Sequence, residues 1–325
     1  MMNDLIIQQG TTPDSPVALF IMGPTATGKT DLALSIYYEM ESDLISVDSA
    51  LVYRSMDIGT AKPDKQTLHK APHHLIDIID PAEVYSAGQF REDALGLMQQ
   101  SVTNQRVPIL VGGTMLYFNA LQKGLANMPE VDNAVKQAIE AEAKIKGISA
   151  MHERLKSVDP VSAERIHPND PQRIKRALEL FDATGKTLTA FWQEQKKNQE
   201  KQSFPYRRIK IVLMPADRVE LRKRITQRFD LMLQQGFIEE VEGLFKRGDL
   251  HADMPSIRAV GYRQVWSYLS GEYAYDEMRE KAIIATAQLA KRQMTWLRKE
   301  ENCYFIDPMA LNSQKILKNL KFLLL

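Results

Sequence analysis

Eight consecutive residues, Gly23-Pro24-Thr25-Ala26-Thr27-Gly28-Lys29-Thr30, constrain this chain more than any other stretch. They fill every fixed position of the pattern G-x-x-x-x-G-K-[ST]. The apolar run VALFIM (17–22) precedes them, and residues 31–40 follow with Leu32, Leu34 and Ile36 among their apolar positions. A strand, a glycine-rich turn and a helix are thereby predicted in that order. The glycines permit a sharp turn in which successive backbone N–H groups face one anion. The helix N-terminus adds partial positive charge at the same point. Lys29 supplies a mobile cation for phosphate oxygens, and Thr30 offers its hydroxyl to Mg²⁺.

Further short apolar runs lie at 44–47 (LISV), 107–111 (VPILV), 208–214 (RIKIVLM) and 304–306 (YFI). Their length and flanking turn residues fit buried strands of a parallel sheet. Strands alternating with helices imply an α/β fold: a P-loop NTPase-like core with a mainly parallel sheet. The stretch 132–202 differs. It is rich in Lys, Glu, Gln and Ala, has few β-branched runs, and is punctuated by Pro160, Pro168 and Pro171. It reads as a helical insertion, 129–203, within a core formed by 1–128 and 204–325. Long helices are expected at 216–247 and 275–299, and no internal repeat is visible.

The loop specifies phosphate without specifying which phosphate compound. Phosphoryl-transfer enzymes of this class place an acid at the end of a core strand to hold Mg²⁺. Here the run VPILV ends in Gly112-Gly113-Thr114, and the acid ending an early strand is Asp48. In open α/β sheets ligands bind outside the carboxyl ends of the strands, so Asp48 should face the same crevice as Lys29. It is placed to bind Mg²⁺, to accept a proton from a nucleophile, or to cap a turn. A small-molecule kinase using the same loop is one alternative; a binding module without catalysis is another.

Charge adds a second constraint. The 325 residues carry 42 Lys and Arg against 41 Asp and Glu, a formal net charge of +1. The total hides a gradient. Residues 1–124 hold 8 basic and 14 acidic side chains, 125–200 hold 12 of each, and 201–325 hold 22 and 15. A basic C-terminal third suggests a polyanionic partner or solvated helix faces. The single cysteine, Cys303, excludes an internal disulfide and a Cys-rich zinc site, and packing is its expected role. His73, His74 and His167 sit beside prolines without metal-ligand spacing and are expected to be structural. With no secretory signal and no membrane-length apolar run, the expected compartment is cytoplasmic. No coiled-coil pattern is visible, and a monomer is expected.

Several longer motifs follow the loop in order: DSALVYRSMDIGTAKP (48–63), PHHLID (72–77), LVGGTMLY (110–117), IHPNDPQRIKRALE (166–179), SIRAVGYRQVW (256–266) and AKRQMTWLRK (290–299). Together they resemble the bacterial tRNA dimethylallyltransferases, also called tRNA isopentenyltransferases, from about Val17 to Asp307. One departure is Leu51, where many members carry Gln. The resemblance implies transfer of a dimethylallyl group from its diphosphate to N6 of the adenosine just 3′ of the tRNA anticodon, at position 37. It implies that the loop, Gly23 to Thr30, holds the prenyl diphosphate rather than a nucleotide, with Mg²⁺ on Thr30. It assigns Asp48 as general base, Arg228 to the departing diphosphate, and Thr114 to the vicinity of the reacting centre.

The resemblance further assigns the anticodon stem–loop to four segments and one isolated lysine. These are Asp48-Ser49-Ala50-Leu51, Gln172-Arg173-Ile174-Lys175-Arg176, Arg258-Ala259-Val260-Gly261-Tyr262-Arg263, and Lys291-Arg292-Gln293-Met294-Thr295-Trp296-Leu297-Arg298, with Lys136. Their Lys and Arg are expected on phosphates and their polar groups on splayed bases. A relative of the family prenylates free adenine nucleotides; the helical insertion and the basic C-terminal third favour tRNA.

Overall fold

The computed structural model describes residues 15–126, 128–199, 204–310 and 313–324. In chain order the elements are β1 (Val17–Met22), α1 (Lys29–Tyr37), β2 (Ser42–Val47), α2 (Lys65–Lys70), β3 (His73–His74), α3 (Ala87–Thr103), β4 (Val107–Gly112) and α4 (Met115–Lys123). Then come α5 (Asn133–Val158), α6 (Pro160–Arg165), α7 (Pro171–Thr184) and α8 (Leu188–Gln199). The chain continues through β5 (Arg207–Leu213), α9 (Arg218–Gln234), α10 (Phe237–Phe245), α11 (Tyr262–Leu269), α12 (Tyr275–Leu297), β6 (Cys303–Ile306) and α13 (Ser313–Leu324). The chain divides into two compact units, 1–122 with 204–325, and 123–203.

In the first unit the six strands form one sheet in the order β3-β2-β4-β1-β5-β6. Every pairing is parallel. The central strand explains why VALFIM lacks polar alternation. Ala18, Phe20 and Met22 enter one apolar cluster with α3 and α4, while Leu19 and Ile21 enter another with α1. A strand covered on both faces has no position for a polar side chain. A third cluster joins α9 to α12 with Val52, Tyr53 and Met56 of the loop after β2. That loop carries the DSALVYRSMDIGTAKP motif.

The single helix expected at 216–247 is two helices. Gly236 stands between α9 and α10 with φ 95°, a left-handed conformation that interrupts helical hydrogen bonding and that glycine adopts without strain. β3 has no counterpart in the sequence reading, because two residues of strand are too few to show a period. Cys303 is partly buried, and burial pushes its thiol up to about 11. His73 lies in β3 with Nδ1 2.8 Å from the Ala71 carbonyl, and His167 Nδ1 accepts from Asn169 N–H at 3.1 Å. Among the described residues no helix is long and apolar enough to cross a membrane.

The second unit has its own core, built from α5 to α8 around Ile139, Met151, Leu155, Ile174, Leu178 and Phe191. Asp159 ties it together by accepting from Ser162 N–H at 3.1 Å and from Thr189 Oγ1 at 2.6 Å. His152 is buried, and its Nε2 lies 3.1 and 3.0 Å from the carbonyls of Ala163 and Ile166, so Nε2 carries the proton.

Candidate active site

The loop between β1 and α1 is the structural centre of the site. Gly28 caps α1 in the left-handed region at φ 78°, which releases the helix N–H groups toward the crevice. Gly23 is forced for another reason: a Cβ there would stand 2.9 Å from the Leu213 carbonyl oxygen. Thr27 Oγ1 and Lys29 Nζ both donate to the Pro24 carbonyl, at 2.8 and 2.7 Å, holding the loop closed upon itself.

Asp48 follows β2 and is locked by its own turn, its Oδ1 accepting from Ala50 N–H at 2.9 Å. Thr114 is brought beside it from the end of β4. Thr114 N–H donates to the Val47 carbonyl at 3.2 Å, and Thr114 Oγ1 accepts from Ser49 N–H at 3.0 Å. This approach needs Gly112, where a Cβ would fall 2.0 Å from the Val47 oxygen. Arg228 enters from α9, three residues after buried Ile225 and next to buried Phe229, both of which also border the site.

Most of these groups line one cavity of about 720 Å³, within the size range of small-molecule sites. Thr25 to Thr30, Asp48, Arg228, Gly261, Tyr262 and Gln293 all border it. Thr114 stands just outside that lining, joined to it through Ser49 and Gly113. Burial lowers the Lys29 ammonium to about 8, with Asp48 raising it and Arg228 lowering it further. Burial likewise lowers Arg228, against the opposing effect of Asp48 and Asp31. Two cations desolvated together around one carboxylate make an anion pocket with surplus positive charge.

The remaining expected residues fall into distinct settings. Ser49, Arg258, Arg263, Lys291, Arg292, Thr295, Trp296 and Arg298 are exposed, while Ala50, Leu51, Ala259 and Val260 are partly buried near the cavity. Tyr262, Met294 and Leu297 are buried in the first unit, and Ile174 in the second. For Ile174, Met294 and Leu297 the expectation of side-chain contact with RNA gives way to packing in the apolar stripe that seats each helix, whereas Tyr262 also borders the cavity. In the second unit Lys136, Gln172 and Arg173 are exposed and Lys175 and Arg176 half-buried.

Sequence reasoning missed two residues that shape the cavity wall. Glu240, in the first turn of α10, accepts from the N–H groups of Asp57, Ile58 and Gly59 at 2.9, 2.7 and 3.2 Å. It also accepts from Tyr262 Oη at 2.5 Å. Gly59 fits because a Cβ there would run into the rings of Phe237 and Tyr262. Lys62 is buried and donates to the Tyr53 carbonyl at 2.9 Å and to Asp57 at 2.5 Å, with Asp77 as a third partner. An acid in a first helical turn reads locally as a dipole partner, so nothing in the sequence singled out Glu240.

Comparison with known proteins places this geometry. The family model described as IPP transferase matches residues 51–300. The tRNA dimethylallyltransferase of Thioalkalivibrio sulfidiphilus is 58% identical over 286 residues, 88% of either chain. That of Nitrosococcus oceani is 54% identical over 90% of this chain and 92% of its own. Among solved structures, the tRNA isopentenylpyrophosphate transferase of Bacillus halodurans is 34% identical with a TM-score of 0.68, covering 94% of this chain and 95% of its own. A eukaryotic dimethylallyltransferase acting on tRNA shares the fold at a TM-score of 0.79 and 22% identity, over 95% of this chain and 80% of its own. With its phosphate loop, its strand-end Asp48 and these relatives taken together, the chain belongs to the IPP transferase family.

Proposed function

We infer that this protein is a tRNA dimethylallyltransferase. It transfers the dimethylallyl group of dimethylallyl diphosphate to N6 of adenosine 37, next to the anticodon, and releases diphosphate. The observation that carries the reading is the shared cavity: the phosphate loop, two buried cations and one carboxylate border the same space. A diphosphate needs the first two, and an amine nucleophile needs the third.

The reaction forms the N6–C1 bond and breaks the C1–O bond to diphosphate. The exocyclic amine is a weak nucleophile because its lone pair is delocalised into the ring. Asp48 accepts the N6 proton as the bond forms, an effect worth about 10²–10⁴-fold. Lys29, Arg228 and the loop N–H groups hold the charge that develops on the leaving diphosphate, and this preorganised field is the larger contribution. Thr114 fixes the backbone beside Asp48. The target base leaves its stack to reach the cavity, at a cost of a few kcal/mol.

Mg²⁺ fits the donor set. Thr30 borders the cavity and carries a hard hydroxyl oxygen, the donor type that Mg²⁺ takes from protein alongside phosphates and waters. Thr30 would hold the ion, which would supply charge neutralisation at the diphosphate. The enzyme is read as a cytoplasmic monomer, with the basic segments on the anticodon stem–loop. Purified protein given the donor, Mg²⁺ and unmodified tRNA should yield N6-dimethylallyladenosine and diphosphate, seen by nucleoside analysis. ADP formation from ATP with no alkylated nucleoside would establish the kinase reading instead.

A further inference from the structure

Gln293 belongs by sequence to the basic stretch of α12, yet its side chain faces inward. Its Oε1 accepts from Thr25 N–H of the phosphate loop at 3.0 Å. Its Nε2 donates to the Gly113 carbonyl at 2.9 Å. Both ends of the amide are therefore used within the protein. Gly113 is what admits it: a Cβ there would stand 2.5 Å from Gln293 Nε2. Gly113 precedes Thr114, which bonds Ser49 next to Asp48.

One side chain thus joins three parts that lie far apart in sequence. The donor loop is at one end, the strand end that fixes Asp48 is at the other, and α12 carries both. We propose that Gln293 is a positioning residue, which sets the donor loop against the Thr114–Asp48 edge and does not itself contact RNA. The physical need is clear. Alkyl transfer requires the donor carbon and the acceptor nitrogen at about 3–3.5 Å in line, and small misplacements cost large factors in rate. A loop held only by its own carbonyls has no reference to the opposite wall. An amide of fixed length supplies one, and a carboxylate does not, because it cannot donate to the Gly113 carbonyl.

This inference rests on the reading of the site as a prenyl-transfer centre, and the test separates the two. In wild type, product formation with tRNA establishes the reaction; its absence overturns that reading and leaves Gln293 to be judged by ligand binding alone. Gln293→Leu should lower kcat/KM for dimethylallyl diphosphate by about tenfold or more, the scale of losing two buried hydrogen bonds. Its affinity for an anticodon stem–loop should stay near wild type in a filter-binding titration. Calorimetric titration with inorganic diphosphate and Mg²⁺ should show the same direction of loss without any RNA present. Gly113→Ala, which expels the amide from the other side, should reproduce the defect, and the double variant should be no worse than either single one. Weakened stem–loop binding with unchanged donor kinetics would make Gln293 an RNA contact and overturn the proposal. Unchanged donor kinetics and binding, or additive effects in the double variant, would overturn it too.

Discussion

Two helices of similar composition, α7 and α12, carry their cations differently. On α7, Arg173 pairs with Asp170 at 3.2 Å, Lys175 with Glu140 at 2.5 Å, and Arg176 with Glu179 at 3.5 Å. On α12 and just beyond it, Lys291, Arg292 and Arg298 are exposed beside Trp296, which is 46% exposed. Below them Ala290, Met294 and Leu297 form the buried stripe. Exposed ion pairs are worth about 0–1 kcal/mol, so an RNA phosphate can displace an acid on α7. The displaced carboxylate then stays close by and opposes the new partner. On α12 the same phosphate meets cations beside an aromatic face, which adds stacking to charge. These two sets of three cations are equal by count and unequal by partners; earlier on α12, Arg279 and Lys281 are paired as well, with Asp230 and Glu277. Lys29 is a third kind of cation, buried against the cavity, where burial lowers its ammonium to about 8.

The widest break in this comparison comes at Asp48, which belongs to neither helix. Asp48→Ala should lower kcat by about 10²–10⁴-fold while stem–loop affinity stays close to wild type, measured by single-turnover kinetics and filter binding. Unchanged kcat would remove Asp48 as the base. Next in size is neutralisation of α12. Replacing Lys291, Arg292 and Arg298 with Ala should weaken stem–loop binding at least about tenfold and reduce the slope of log K against log salt by roughly two to three.

Lys29 sharpens the third case through pH. Its ammonium titrates near 8 in the free protein. Below that value it is charged and ready for the diphosphate. As pH rises through 8 the free protein loses the proton, and donor binding must recover it. The donor Kd should therefore rise above pH 8 by up to about tenfold per pH unit, with measurable proton uptake on binding. Lys29→Met should bind more weakly and lack this dependence. The smallest effect belongs to α7, where replacing Arg173, Lys175 and Arg176 should change the salt slope by roughly one or less. Equal slopes for the two sets of replacements would show that the ion pairs on α7 do not matter to binding.

Much of the catalytic half was legible along the chain because its chemistry is local. The phosphate loop is eight consecutive residues whose backbone does the binding, and Asp48 follows its strand directly. The β1, β2, β4 and β5 runs were readable because a strand buried on both faces leaves an unbroken apolar signal. The wall of the cavity was not readable in the same way. Glu240 reaches Asp57 to Gly59 across more than 180 positions, and Gln293 reaches Thr25 across 268. No local pattern encodes such a pairing, since each partner is a backbone group that every residue possesses.

The sequence by itself determined the sheet's central strands, the anion loop, the acid beside it and the charge gradient along the chain. Each depends on neighbours within a turn or a strand. The tertiary structure decided which polar side chains turn inward to brace the site and which cations already have partners. It also decided where a helix breaks, at Gly236, and which members of the basic stretches are packing residues. Those outcomes depend on what distant segments present to one another once the sheet and its helices are packed, and a buried polar group must then find a partner there.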